Sequence, residues 1–317
     1  MEPGARRHPL VSVVTATYNR WPMVRDTIGS ALNQSFRDFE VIVVDDGSPD
    51  GSADLIEHHY PEVRVVRQGN TERGKAYNHG VMVARGEYVA FLDDDDVYEP
   101  WHLSEFIVAR TQHPCGQVFA TRARLWDPAT GRCESVPAFN PKTLPQDCLR
   151  QTIIVPQAMV VAKQALLAVG GFPEERAVMG SEDWLLLIAL ARRFEVFPLA
   201  RPSVRIRLHR GRSVNNLAAI SASRQVATEK LLGEEYAWIG LDDTERRMVT
   251  AGTERFVAGH LYASGQMAAA RDHLRSARRA TGGLRGYCGT ARLWAQTWLG
   301  PRGSVVARGM KRRFTLR

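Results

Sequence analysis

The chain has 317 residues, 44% hydrophobic and 24% charged, which is the composition of a globular protein with enough apolar material for a core and a length that suggests two domains. Its longest apolar runs, Trp184 to Ala191 and Val155 to Val169, are too short or are broken by Lys163, and neither reaches the roughly 18 residues of a membrane-spanning helix. The net charge of +8 is unevenly placed: Arg271 to Arg317 holds twelve Lys and Arg against one acid, Asp272, and the rest of the chain is slightly acidic.

Met1 to Pro9 is polar, with no apolar segment behind Arg6, Arg7 and His8, so no cleaved secretion signal is expected. Leu10 to Thr15 and Glu40 to Asp45 are short β-branched runs, separated by a stretch with helical spacing at Met23, Ile28, Ala31 and Leu32. The pattern repeats with a helix over Ala53 to His59, a strand over Val63 to Val66, a helix over Ala76 to Ala84 and a strand over Tyr88 to Leu92. Strands alternating with such helices predict an α/β fold with a mostly parallel sheet covered on both faces. After Asp96 the alternation weakens. A helix is expected over Trp101 to Arg110, a proline-containing loop region over Pro114 to Pro145, a helix over Glu182 to Arg193 and a last strand over Val204 to His209. Beyond Asn215 only helices are expected: Ala222 to Leu232, Asp243 to Ala263, Gln266 to Ala280 and Thr290 to Leu299. Phe256 to Ala280 has the spacing of one tetratricopeptide-like unit, but a lone unit is better described as a helical hairpin. Cys115, Cys133, Cys148 and Cys288 show no C-x-x-C spacing, and free thiols in a reducing cytoplasm are expected.

In open parallel sheets ligands bind beyond the carboxyl ends of the strands. Three polar segments fall there. Phe91 to Asp96 ends an apolar strand in four consecutive carboxylates, whose mutual repulsion calls for a compensating cation, and oxygen donors suit Mg²⁺ or Mn²⁺. Asp45 and Asp46 precede a turn, Gly47 to Asp50. One of them could accept hydrogen bonds from a base or ribose, while Asp50 and Ser52 equally fit a helix cap. Ala16, Thr17 and Tyr18 close the first strand and offer backbone groups, a hydroxyl and an aromatic face to a flat base, although an aromatic here also fits simple packing.

The ordered motifs T-A-T-Y-N-R, N-Q-S-F-x-D-F-E-V-I-V-V-D-D-G-S-P-D, R-G-K-A-Y-N-H-G and G-E-Y-V-A-F-L-D-D-D-D-V-Y resemble those of the family 2 glycosyltransferases over about the first two hundred residues. The resemblance implies a GT-A fold in residues 1–215, with a nucleotide-binding half (1–100) and an acceptor half (101–215), followed by a helical domain with a basic tail (216–317). It implies that Tyr18 and Asp46 hold the nucleobase and that Asp93 and Asp95 hold ribose and metal, with Asp95 the favoured metal ligand. Asp94 and Asp96 leave that register open by one residue. Arg73, Lys75 and Asn78 lie on the connection into the third helix, where the two cations would neutralise donor phosphates and Gly74 would allow close backbone approach, while Arg73 equally fits a solvated helix start. Glu182 and Asp183 open a helix, where capping competes with catalysis. The resemblance makes Asp183 the general base, with Glu182 beside the acceptor. Alternation in Val204 to His209 puts Arg205, Arg207 and His209 on one face, Arg207 toward a diphosphate and His209 toward phosphate or metal.

These parts imply a direct displacement at the anomeric carbon, and the resemblance implies that it is inverting and moves a sugar from a nucleotide-diphosphate donor, UDP by preference, to a glycan or lipid-linked acceptor in cell-envelope assembly. A nucleotidyltransferase would share the architecture, but Thr15 to Arg20 lacks the glycine-rich loop it needs. A sugar-nucleotide binder without turnover would have no use for Asp183. The tail residues Leu293, Trp294 and Trp298, with Arg292 alongside, suit an anionic membrane surface as well as they suit a solvated tail. No nucleic-acid-binding motif accompanies the charge.

Overall fold

The computed structural model describes residues 8–212 and 215–281, which form two compact units: residues 8–145 with 152–212, and residues 146–151 with 215–281. In the first unit β1 (Val11–Thr17), α1 (Trp21–Leu32), β2 (Phe39–Asp45), α2 (Ser52–His59), β3 (Arg64–Arg67), α3 (Arg73–Val83) and β4 (Tyr88–Phe91) follow one another in strand and helix alternation. All seven residues of β1 are buried, including Ser12, Thr15 and Thr17. Such a continuous run is what a central parallel strand covered on both faces requires. β1 pairs in parallel with β2 and β4, with Thr17 level with Asp45 and Val14 level with Phe91. The polar segments after these strands therefore emerge side by side at one sheet edge.

The rest of the unit adds β5 (Val97–Tyr98), α4 (His102–Gln112), β6 (Val118–Ala120), β7 (Ala123–Trp126), β8 (Cys133–Ser135), α5 (Leu144–Asp147), β9 (Met159–Ala162), α6 (Lys163–Ala168), α7 (Glu182–Arg193), β10 (Val196–Pro198) and β11 (Val204–Arg207). The main sheet runs β10-β6-β9-β4-β1-β2-β3, with β9 antiparallel to both neighbours. A second sheet runs β5-β11-β7-β8. The region expected as proline-containing loop thus supplies β6, β7 and β8. These strands are three or four residues long, too short for a two-residue period to register. The apolar run Trp184 to Ala191 is buried throughout, the signature of a helix enclosed on every side. Among the described residues no helix is long and apolar enough to cross a membrane. Lys163, which interrupts the other apolar run, donates Nζ to the carbonyls of Met82 and Ala84 at 3.1 and 2.8 Å and so caps the carboxyl end of α3.

The second unit is built on α8 (Leu217–Leu232), α9 (Asp243–Ala263) and α10 (Met267–Ala280). A reciprocal capping box of Asp242 and Glu245 starts α9, and α9 with α10 forms the helical hairpin expected over this stretch. Residues 146–151 join this unit although the sequence reading counted them with the first. Gly252 explains the fit, because a Cβ there would lie 2.5 Å from the Arg150 carbonyl. Cys115, Cys133 and Cys148 are free thiols. Cys288, the expected helix Thr290 to Leu299 and the basic tail lie outside the described residues.

Candidate active site

The four carboxylates after β4 turn into different surroundings. Asp93 Oδ1 accepts from the Tyr77 hydroxyl. Asp94 accepts from Thr17 Oγ1 at 3.0 Å and Arg20 Nη1 at 2.9 Å. Asp95 Oδ2 meets Arg20 Nη1 and His209 Nε2, each at 2.9 Å. Asp96 is buried and held by Gln157 Nε2 at 2.7 Å and the Arg207 backbone N–H at 2.8 Å. Asp93, Asp95 and Asp96 each offer a ligand atom, all within 4.8 Å of one another. Burial, and then the charges of neighbouring carboxylates, raise the pKa of Asp93 above the usual carboxylate range and that of Asp96 well above it. Asp94 is pushed up to about 6 by burial, against the pull of Arg20. Four carboxylates with clustered oxygen donors, met by Arg20 on Asp94 and Asp95 only, fit a hard divalent cation.

At the tips of β1 and β2, Asp46 N–H donates to the Thr17 carbonyl at 2.9 Å, which joins the two strand ends. The Asp46 carboxylate is nearly filled from its own chain: it accepts from Gln68 Nε2 (2.8 Å), Thr71 N (2.9 Å), Thr71 Oγ1 (3.2 Å) and Glu72 N (3.0 Å). The residue expected to read a base therefore also anchors the 68–72 loop. Asp45, by contrast, keeps one buried oxygen without a partner. Thr17 spends its hydroxyl on Asp94, and Ala16 is buried within β1. Tyr18 is 45% exposed just beyond the strand, so its ring face is accessible.

Helix α3 begins at Arg73, three residues before the expected Ala76, so Arg73, Lys75 and Asn78 are helical and do not lie on a connection. Arg73 gives Nε to Glu182 Oε1 at 2.8 Å, and Glu182, 2% exposed, also accepts from the Gly180 N–H. The charge of Glu182 raises the Arg73 pKa well above its ordinary value. Arg73 is thus committed to Glu182, and Glu182 is buried away from any acceptor. Asn78 is likewise spent: its side chain brackets the backbone of Phe172 at 2.9 Å on both sides and reaches Glu174 at 2.8 Å. Lys75 is exposed. Gly74 serves packing and not a phosphate, since a Cβ there would lie 2.4 Å from the Pro173 carbonyl oxygen. Asp183, at the second position of α7, is only part-buried and is the accessible carboxylate of the pair.

β11 ends at Arg207, two residues before the expected His209, and Leu208 beyond it is 39% exposed. Arg207 donates Nε to the Asp95 carbonyl at 3.0 Å and Nη2 to Asp26 at 3.1 Å, so its guanidinium braces the acidic turn from behind. His209 lies on Asp95, inside the cluster. The sequence reading missed Arg20, Tyr77 and Gln157, three partners of the tetrad. Only Arg20 carried a signal, a lone cation directly after a strand end.

An acidic turn at the carboxyl end of β4, flanked by the tips of β1 and β2 and a carboxylate at the start of α7, on a mostly parallel sheet, is the layout of a GT-A glycosyltransferase. The solved structures agree on the fold. The chain superposes on Staphylococcus aureus TarS 1-349 in complex with UDP-GlcNAc with a TM-score of 0.61, at 19% identity over 85% of this chain and 82% of that one. It superposes on the mannosyltransferase PcManGT of Pyrobaculum calidifontis, in complex with GDP-Man and Mn²⁺, with a TM-score of 0.53, at 16% identity over 98% and 89%.

Residues 12–130, a little over a third of the chain, match Glycosyl transferase family 2. The chain is 28% identical to TuaG of Bacillus subtilis, which carries the name of a teichuronic acid biosynthesis glycosyltransferase, over 78% of this chain and 94% of TuaG. It is 40% identical to the glycosyltransferase EpsJ of the same organism, but that alignment spans only 28% of this chain and 26% of EpsJ.

Proposed function

We propose that the chain transfers a sugar, with inversion, from a nucleotide-diphosphate donor to a hydroxyl of a glycan or lipid-linked acceptor in cell-envelope polysaccharide assembly, using Mn²⁺ or Mg²⁺. The observation that carries this reading is the convergence of the Asp93, Asp95 and Asp96 oxygens within 4.8 Å at the carboxyl end of β4. Asp93 and Asp95 would hold the cation, with His209 beside them, because Asp96 already has a donor on each oxygen. When bound, the ion supplies charge stabilisation to the departing nucleoside diphosphate. UDP is the favoured nucleotide by likeness to TarS, and the GDP-Man of PcManGT makes GDP the rival. The name of TuaG supports the envelope role.

The chain's own residues divide the remaining work. Tyr18 offers a face for the base, with Ala16 and Thr17 beneath it. Asp46 fixes the 68–72 loop around the base site, and its Oδ2, which accepts from Glu72 N alone, has a lone pair left for the base. Glu182, neutralised by Arg73, holds the start of α7, which leaves Asp183 to accept the acceptor's proton as the new bond forms. One displacement with one base needs no covalent intermediate, and that favours inversion. Arg73, Asn78 and Arg207 support this geometry through the contacts described above, and Lys75 is left as the exposed cation at the start of α3. A cytoplasmic location with peripheral membrane contact through the basic tail completes the reading.

Asp183→Asn tests it. Nucleotide affinity is expected to stay within about twofold of wild type while sugar transfer falls by about 100-fold or more. Undiminished transfer would remove Asp183 from the mechanism.

A further inference from the structure

We propose that Arg20 is a resident counter-cation of the acidic cluster, holding down its affinity for a free divalent ion until a donor diphosphate draws the guanidinium away. This rests on the metal-site reading above. The geometry is specific. Asn19, at φ +55, takes the left-handed turn that ends β1, fixed by its N–H on Ser48 Oγ at 2.9 Å. Arg20 follows as the residue before α1, and its side chain reaches back over the cluster. Nη1 lies 2.9 Å from both Asp94 Oδ1 and Asp95 Oδ2, and Nη2 lies 3.2 Å from the Gly211 carbonyl. Arg73 is ion-paired to Glu182 and acts on Asp93 only through space, and Arg207 is ion-paired to Asp26 and bonds the Asp95 carbonyl, whereas Arg20 is ion-paired to Asp94 and Asp95 directly.

A positive charge fixed on the favoured ligand carboxylate repels a second cation over the same few ångströms. His209 engages the same Asp95 oxygen, so that oxygen already has two partners. The guanidinium is also a planar fork suited to phosphate oxygens, and a diphosphate offers it a competing partner. Release of Arg20 would then uncover Asp95 and add a contact to the donor. Metal and donor would favour each other's binding through one side chain.

The test is titration of the full chain with Mn²⁺ alone, following free Mn²⁺ by electron paramagnetic resonance, for wild type, Arg20→Gln, Arg20→Lys and Asp95→Asn. Arg20→Gln is expected to bind Mn²⁺ at least about fivefold tighter than wild type. Arg20→Lys, which keeps the charge, should stay within about twofold and serves as the folded control if the glutamine variant unfolds. If wild type binds Mn²⁺, Asp95→Asn does not, and neither Arg20 variant differs from wild type, the counter-cation role is overturned while the metal site stands. If neither wild type nor Arg20→Gln binds Mn²⁺, both readings fall. Repeating the titration with UDP, GDP, dTDP and CMP in turn reads the donor half. One nucleotide should close the gap between wild type and Arg20→Gln, and a gap unchanged by all four overturns that half.

Discussion

Asp94 is a carboxylate that the metal-free protein holds at a disadvantage. Its pKa stands at about 6 against an ordinary 3.8, because burial penalises the charge by more than Arg20 and Thr17 recover. The folded state therefore binds this proton more tightly than the unfolded chain does. The associated stability is full below 3.8 and is lost as pH rises through about 6. Asp94→Asn, measured by urea unfolding in EDTA, should be more stable than wild type at pH 7.5 by about 1–3 kcal/mol, with the difference shrinking toward zero near pH 4. A difference independent of pH would contradict this. The comparison must be made between variants, because His102 acts in the opposite sense. Burial lowers its pKa to about 3, so its contribution is present above 6.5 and is lost as pH falls toward 3. At this scale the sequence was legible where chemistry is repeated: four adjacent carboxylates stand out in any reading. The partners that decide their fates were not legible, since Tyr77, Gln157 and Arg20 come from three separate elements and only the fold brings them together.

Arg73 with Glu182 ties helix α3 to helix α7, which on the proposed reading serve the donor and the acceptor. Glu182 is enclosed, so Arg73→Met leaves a buried charge without its partner and should cost about 2–4 kcal/mol in chemical denaturation. Removing both charges in Arg73→Met with Glu182→Met should recover a large part of that loss, since a buried pair is often replaceable by apolar side chains of similar size. Additive losses would show instead that the two residues act independently. The start of α3 was misplaced in the sequence because Arg73, Gly74 and Lys75 bring no apolar spacing to mark a helix. Asn78 was assigned to phosphates because its real partner, the backbone of Phe172, lies 94 residues away. Strands β1, β2 and β4 were legible as apolar runs, whereas β6, β7 and β10 were too brief to declare a period.

For the molecule as a whole, the match to the family covers residues 12–130 and so takes in the ends of β1, β2 and β4. The similarity to TuaG extends over 78% of the chain at a lower identity. The proposed activity depends first on metal-dependent binding of a nucleotide-sugar donor at the β4 turn. The most direct test is the thermal midpoint of wild type and Asp95→Ala with UDP, GDP, dTDP and CMP, each with and without Mn²⁺. One nucleotide should raise the wild-type midpoint by at least about 3 °C, only with Mn²⁺ present and not in Asp95→Ala. Stabilisation by none of the four, or an equal rise without metal and in the variant, would contradict the account.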